Sequence, residues 1–306
     1  MSGGHRTVTD GGVDLSRVVL VDKPVGPTSF DVVRTARRGL KVKVGHAGTL
    51  DPFASGLLLI LVGQATRLSS LLMDLPKEYV FRAQFGATSS TADPTGELTS
   101  TGERTDARAL VAALDVFRGR IVQRVPLTSA VKVDGEPLYR RAHRGETVET
   151  PEREVVVYEL SLLSFDEDAQ VAEILARTGR GTYVRTLAEG LGEVTGAGAY
   201  AATLRRTRVG LFSVQEALAS DELNPERYQA RDRSVMALTE ALGFLPRHDI
   251  VGRDAKLASN GGELRDMPAG RCRVYSEDGL LGIWEGPGGV ARAMVVFPAP
   301  IREDSA

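Results

Sequence analysis

Cysteine is all but absent from this 306-residue chain. Cys272 stands alone, which excludes an intrachain disulfide. Four scattered histidines give no zinc-type spacing either, so no metal site is expected. Cys272 is read as a packing residue rather than a nucleophile. No stretch reaches the ~18 consecutive apolar residues that a membrane span requires. Residues 1–12 are polar and lack the apolar centre of a signal peptide. Export is therefore not expected, and a cytoplasmic location is. There is no glycine-rich loop ending in Gly-Lys-Ser/Thr and no dinucleotide fingerprint. Nucleotide-fuelled and redox chemistry are not indicated, and no cofactor is expected. Neither sign of charge dominates, since the formal net charge is -2.

What the chain does have is an ordinary globular composition, 42% hydrophobic and 25% charged, and a length that suits one large or two ordinary domains. Its charge is unevenly distributed. Residues 17–47 hold seven Lys/Arg against Asp22 and Asp31, and residues 118–144 hold seven against Asp134 and Glu136. Arg205, Arg206 and Arg208 form a third cluster. Such segments on a mildly acidic body suit a polyanion-binding face. They equally suit solvated helix faces and loops.

Apolar runs at 17–21 and 56–62 read as strands, the second buried on both faces. Between them lies Gly45-His46-Ala47-Gly48-Thr49-Leu50-Asp51-Pro52. Gly45 and Gly48 permit backbone angles closed to other residues, and Pro52 biases Asp51 toward an extended conformation. The turn can hold one carboxylate at the lip of a sheet. A plain surface turn fits the octapeptide as well. Thr28 with Asp31 resembles a capping box and opens a helix over 29–40. Alternation predicts a half-buried strand over 77–85. Residues 88–101 read as an irregular loop, 106–117 as a helix, and 124–151 as a long basic loop of the kind that carries function. Strands are expected near 154–162 and 171–176, and helices from 183 to 190, over 214–219 and over 233–242. Gly243-Phe244-Leu245-Pro246 marks a boundary before a Gly/Pro-punctuated, β-rich segment.

Taken together, several segments resemble the TruB family of tRNA pseudouridine synthases over nearly the whole chain after the tail. They are Asp22-Lys23-Pro24-Val25-Gly26-Pro27-Thr28-Ser29, the octapeptide ending in Pro52 with Ala54-Ser55-Gly56-Leu57-Leu58, and Lys77-Glu78-Tyr79. Then come Ser129-Ala130-Val131-Lys132-Val133-Asp134-Gly135 with Leu138-Tyr139 and Arg144-Gly145, Gly181-Thr182-Tyr183-Val184-Arg185-Thr186-Leu187, and Leu204-Arg205-Arg206-Thr207-Arg208-Val209-Gly210. Leu127-Thr128 and Ala142-His143-Arg144 depart from the family's pattern in the insertion, apart from the catalytic motifs.

The resemblance implies an α+β pseudouridine-synthase fold: a mixed, mostly antiparallel sheet flanked by helices, plus a small C-terminal β-barrel of PUA type. Residues 1–12, polar and rich in Gly, read as a disordered tail; the resemblance implies a catalytic domain over 13–245 with an RNA-clasping insertion at about 122–151, and an RNA-binding domain over 246–306. The implied reaction isomerises uridine 55 in the T-loop of tRNA, moving the ribose bond from base N1 to C5. Asp51 is implied as nucleophile or base and Arg185 as its cation. Tyr79 is implied as the ring against a flipped-out uracil and a possible proton shuttle, with Leu204 on the other side of the base. Tyr183 would order the pocket, His46 would fill the vacated stacking place, and Lys23 would buttress the site. The implied partner is the tRNA T-arm, with no membrane, no obligate protein partner and a monomeric state. A non-catalytic RNA-binding protein and a guide-RNA-dependent relative stand as alternatives. An aspartate hydrolase is disfavoured, because Asp51 has no second carboxylate at a recognisable spacing.

Overall fold

The computed structural model describes residues 16–302 except 130, 134, 145, 147, 148 and 231. The expected tail, and Asp134 and Gly145 of the insertion motif, lie outside the described residues. In chain order the first elements are β1 (Arg17–Lys23), α1 (Ser29–Ala36), β2 (Val44–Ala47), β3 (Ser55–Val62), α2 (Ser69–Asp74) and β4 (Lys77–Phe85). Next come β5 (Ala87–Ser89), β6 (Leu98–Ser100), α3 (Ala107–Val116), β7 (Gly119–Arg124), β8 (Lys132–Val133), β9 (Glu136–Pro137) and α4 (Leu138–His143). They are followed by β10 (Glu152–Asp166), β11 (Val171–Thr178), α5 (Val184–Thr195), β12 (Ala199–Val209), β13 (Phe212–Ser213), β14 (Leu218–Ala219), β15 (Val235–Ala237) and α6 (Leu238–Ala241). The last are β16 (Arg247–Asp249), α7 (Gly252–Ser259), β17 (Leu264–Met267), β18 (Gly270–Ser276) and β19 (Gly279–Ile301).

The main sheet runs β14-β1-β3-β12-β4-β11-β10-β7, with β2 on β3, β13 on β12 and β15 on β1. Only the β1–β14 and β3–β12 pairs are parallel, so the sheet is mixed and mostly antiparallel. β1 and β3 are apolar throughout because both of their faces are covered. Val19, Val21, Leu58 and Ile60 join a core that includes α1, α3 and α5 residues. Val18, Leu20, Leu57, Leu59 and Leu61 point the other way, onto Tyr275, Ile283, Val295 and Phe297. The core thus continues across the Gly243–Pro246 segment into the C-terminal sheet.

That second sheet has the order β16-β18-β19-β17. β19 folds back on itself about Gly286-Pro287-Gly288-Gly289: a side chain on Gly282 would meet the Val295 carbonyl at 2.0 Å, and one on Gly279 the Ile301 carbonyl at 2.5 Å. The result is a curled half-barrel, as the resemblance implies. Cys272 is buried there beside Trp284 and Val274, a packing residue as expected.

Several expectations are corrected. The first helix stops at Ala36, and residues 40–43 form an irregular link into β2 with Leu40, Val42 and Val44 against the core. The stretch 88–101 contains the β5–β6 hairpin. The long basic loop contains β8, β9 and α4. Residues 214–219 form a short 3-10 turn and β14, and 235–237 form β15 ahead of a short α6, because both strands find backbone partners on β1. Gly48 does adopt a left-handed angle of +91°. Gly45 sits in β2 as an ordinary strand residue.

Candidate active site

The Asp51 turn is held from behind by α1. Ser29 Oγ accepts from the Leu50 N–H at 2.8 Å and donates to the Leu50 carbonyl at 3.0 Å. Ser29 is placed for this by the Thr28/Asp31 capping box, in which Thr28 N–H donates to Asp31 and Asp31 N–H donates to Thr28 Oγ1. A second strut is the Gly26 N–H donating to the Pro52 carbonyl at 2.8 Å.

On the opposite side stands Arg185, in the first turn of α5 and 2% exposed. Its Nε lies 3.0 Å from Asp51 Oδ2, and its Nη1 lies 3.0 Å from Asp93 Oδ2. One guanidinium therefore serves two carboxylates. Nη1 also donates to the Thr91 carbonyl at 3.0 Å and to Thr128 Oγ1 at 2.6 Å. Nε is at ion-pair distance from Asp51 but finds no aligned hydrogen-bond acceptor among the described residues. Asp93 is buried and further bonded by Thr91 Oγ1, Thr95 N–H and Thr95 Oγ1.

Asp51 keeps 32% of its side chain exposed, enough for a substrate to reach it. Its carboxyl is pushed above the ordinary aspartate value, first by burial; Arg185 opposes this, Asp93 adds to it, and Lys23 opposes it. The cation alone would keep the acid low, but desolvation and the second carboxylate prevail. Lys23 is fully buried, and its Nζ donates to the Pro24 and Pro27 carbonyls at 2.8 and 2.9 Å. Burial lowers its pKa to about 8, against the attraction of Asp51 and with the repulsion of Arg206.

Arg206 completes the floor. It is 1% exposed and donates to the carbonyls of Leu57 at 2.7 Å and Gly48 at 3.0 Å. Its charge lies close enough to Tyr79 and Asp51 to interact with both. Arg206 and Tyr79 are cross-strand partners on β12 and β4, and Leu204 pairs with Phe81 on the same buried face. Gly56 lets β12 approach: a Cβ there would lie 2.2 Å from the Arg206 carbonyl.

Of the expected residues, the structure gathers Asp51, Arg185 and Lys23 into one electrostatic unit, to which Arg206 joins Tyr79. Leu204 lines the same buried face. His46 is half-buried on β2 with Nδ1 unbonded among the described residues, and burial together with Arg206 holds its pKa below the ordinary histidine value. Tyr183 enters through its backbone, clamped by Gln123 on β7 in both directions at 3.0 and 3.2 Å.

Three residues of the site are not assigned to it by the sequence. Asp93 lies in a stretch that reads as an irregular loop, Thr128 is marked only as a departure from the family's pattern, and Arg206 only as part of a basic cluster and of the last family motif. Thr128 also corrects the view that the insertion's departures leave the catalytic motifs untouched, since it bonds Arg185 directly. A cleft of about 850 Å³ lies under the insertion, lined by Thr91, Thr128, Thr186 and Glu189 among others. Asp51 is not in its lining, but Thr91 and Thr128 join it to the Arg185 guanidinium.

Known proteins resemble this chain over most of its length. Residues 36–184 match the model described as TruB family pseudouridylate synthase (N terminal domain). The chain is 40% identical over 282 residues to "tRNA pseudouridine synthase B" of Pseudomonas fluorescens, covering 89% of this chain and 92% of the relative. It is 36% identical over 291 residues to the protein of that name from Azoarcus sp., covering 94% of each. Among solved structures, a chain in the crystal structure of a Cbf5-Nop10-Gar1 complex superposes with a TM-score of 0.68 at 25% identity, over 93% of this chain and 85% of that one. The chain belongs to the TruB family of pseudouridylate synthases.

Proposed function

We propose that this chain isomerises uridine 55 in the T-loop of tRNA to pseudouridine, with Asp51 as the acting carboxylate. The observation that carries the reading is Asp51 itself: part-exposed at the rim, desolvated, and 3.0 Å from a buried guanidinium. A carboxylate so placed can attack or deprotonate at a sugar–base bond. The relatives' names support tRNA as the substrate.

A uridine stacked in folded RNA must first be extruded, at a cost of a few kcal/mol. Tyr79 and Leu204, on one buried face, offer walls for the extruded uracil. Arg206, cross-strand from Tyr79, sets its charge beside the ring. Arg185 orients Asp51 and stabilises its charge. Lys23 ties the strand end behind Asp51 to the Pro24–Pro27 turn, and His46 stands ready for the stacking place the uridine leaves. Tyr183 orders the start of α5, and with it Arg185. The enzyme acts as a monomer in the cytoplasm without a protein partner. The segment 246–306 forms a PUA-type RNA-binding domain, and 13–245 forms the catalytic domain with its clasping insertion.

The test is tritium release from C5-labelled uridine in unmodified tRNA, with T-loop variants as controls. Wild type should release label only with an intact T-loop. Asp51→Asn should bind tRNA normally and release none. Tight binding by wild type with no release would leave an RNA-binding protein and refute the proposal.

A further inference from the structure

The two longest basic segments of the chain differ once their partners are known. In the insertion and its flanks, Arg118 pairs with Asp115, Arg120 with Glu154, Arg124 with Glu152, Arg141 with Glu146, and Arg144 with both Glu136 and Glu146. Much of that positive charge is already neutralised within the protein. Before β2 the situation is reversed. Arg37, Arg38, Lys41 and Lys43 are all exposed, and no carboxylate among the described residues lies within 4.0 Å of any of them. No acidic residue occurs anywhere between Asp31 and Asp51. The segment packed against this turn through Pro225 and Tyr228 carries the exposed Glu226 and, further back, Glu222, which accepts from the Ala219 N–H.

The fold presents these four cations deliberately. Leu40, Val42 and Val44 pack inward, and Lys41 and Lys43 between them are exposed. The turn is fastened by Arg37 N–H to the Val33 carbonyl, by Leu40 N–H to the Arg37 carbonyl, and by the Tyr228 hydroxyl donating to the Ala36 carbonyl. Lys43 leads directly into β2, three residues or roughly 10 Å of strand before His46. From there the chain runs into the Asp51 turn.

We infer that residues 37–43 form the principal phosphate-binding shoulder for the substrate RNA strand beside the active site, and that the insertion arginines contribute less counterion release. This rests on the proposed action on RNA. Each phosphate neutralised adds about 0.7–0.9 to the slope of log affinity against log salt. Replacing all four cations with Gln should therefore flatten the slope by about 3.

The experiment measures binding of unmodified tRNA across a salt series for three proteins: wild type, R37Q/R38Q/K41Q/K43Q, and R141Q/R144Q. Two double variants, R37Q/R38Q and K41Q/K43Q, serve if the quadruple variant does not fold. Single-turnover tritium release at saturating protein and low salt is read in parallel. The inference predicts a slope loss of two or more for the shoulder variant, or one or more for each double, larger in each case than for R141Q/R144Q. It also predicts wild-type release at saturation. A smaller loss, a loss exceeded by the insertion variant, or a fall in release at saturation overturns it. If wild type binds but releases no tritium, the proposed function fails instead, and the slopes still decide where the charge acts.

Discussion

Asp93→Asn and Arg185→Gln should move the acid limb of the reaction in opposite directions. The two carboxylates sit on one guanidinium, Asp51 at Nε and Asp93 at Nη1, each at 3.0 Å. Asp93 raises the Asp51 pKa, whereas Arg185 lowers it. Charges separated by about the width of a guanidinium, roughly 6 Å, repel by about 3 kcal/mol at an effective dielectric of ~20 and by about 0.7 kcal/mol in water. Asp51 is one-third exposed, so the lower part of that range applies, or about half to one pH unit. Asp93→Asn should lower the limb by that much. Arg185→Gln should raise it by about one to two units. The assay is single-turnover kcat/KM for tritium release between about pH 4.5 and 8, where the acid limb reports the free enzyme's Asp51. Loosening of the site alone would lower the plateau and leave the limb in place. Limbs that coincide with wild type in both variants would refute the shared-cation reasoning.

Three further outcomes are expected. Thr128→Val removes an acceptor 2.6 Å from Arg185 Nη1 and should cut saturated turnover about fivefold, with Thr128→Ser restoring it, because a hydrogen bond to a charged group at a part-exposed site is worth about 1 kcal/mol; a change in tRNA affinity alone would contradict this. Lys23 has a folded pKa of about 8 against 10.5 for the free side chain, so between these values the unfolded chain binds more protons and wild-type stability rises with pH. Urea unfolding should therefore show wild type gaining up to about 3 kcal/mol on Lys23→Met from pH 7 to 10.5, and no gain would show that the lysine is not desolvated. Gly56→Ala places a Cβ 2.2 Å from the Arg206 carbonyl at φ +104°, whereas Gly26→Ala at φ +110° meets open space. The first should cost about 3 kcal/mol or more and the second about 1 kcal/mol in chemical denaturation, and equal costs would remove the close-approach argument.

The parts of the fold legible in sequence are those whose pattern is set by their own neighbours. The alternation of 77–85 matches β4 residue for residue, and the apolar runs mark β1 and β3 because both faces of each are covered. The Thr28/Asp31 box fixes where α1 starts. Its end was not legible: Leu40 fits a helical stripe as well as an extended one, and only its packing beside Val42 and Val44 decides. β14 and β15 were read as helix for a similar reason. Each is two or three residues long and exists because β1 offers an open edge to pair with. Tertiary pairing outweighs local propensity in such short segments.

The site divides the same way. Lys23, Asp51 and Arg185 lie inside dense motifs, but the residues that set their electrostatics lie outside them. Asp93 is 92 positions from Arg185 and Thr128 is 57 away, in stretches with no periodicity to mark them. Arg205 and Arg206 look alike in sequence, yet alternation on β12 turns Arg205 out to Asp22 and Arg206 into the floor.

The consequence for reactivity follows from how Arg185 is shared. A guanidinium devoted wholly to Asp51 would hold its carboxyl low, and a strongly stabilised carboxylate is a poor base and a poor nucleophile. Here Nη1 is committed to Asp93, Thr91 and Thr128, and Asp93 acts against Asp51. Asp51 is positioned by the cation without being fully neutralised by it. Its pKa is raised first by burial, and the second carboxylate adds to that rise against the pull of Arg185.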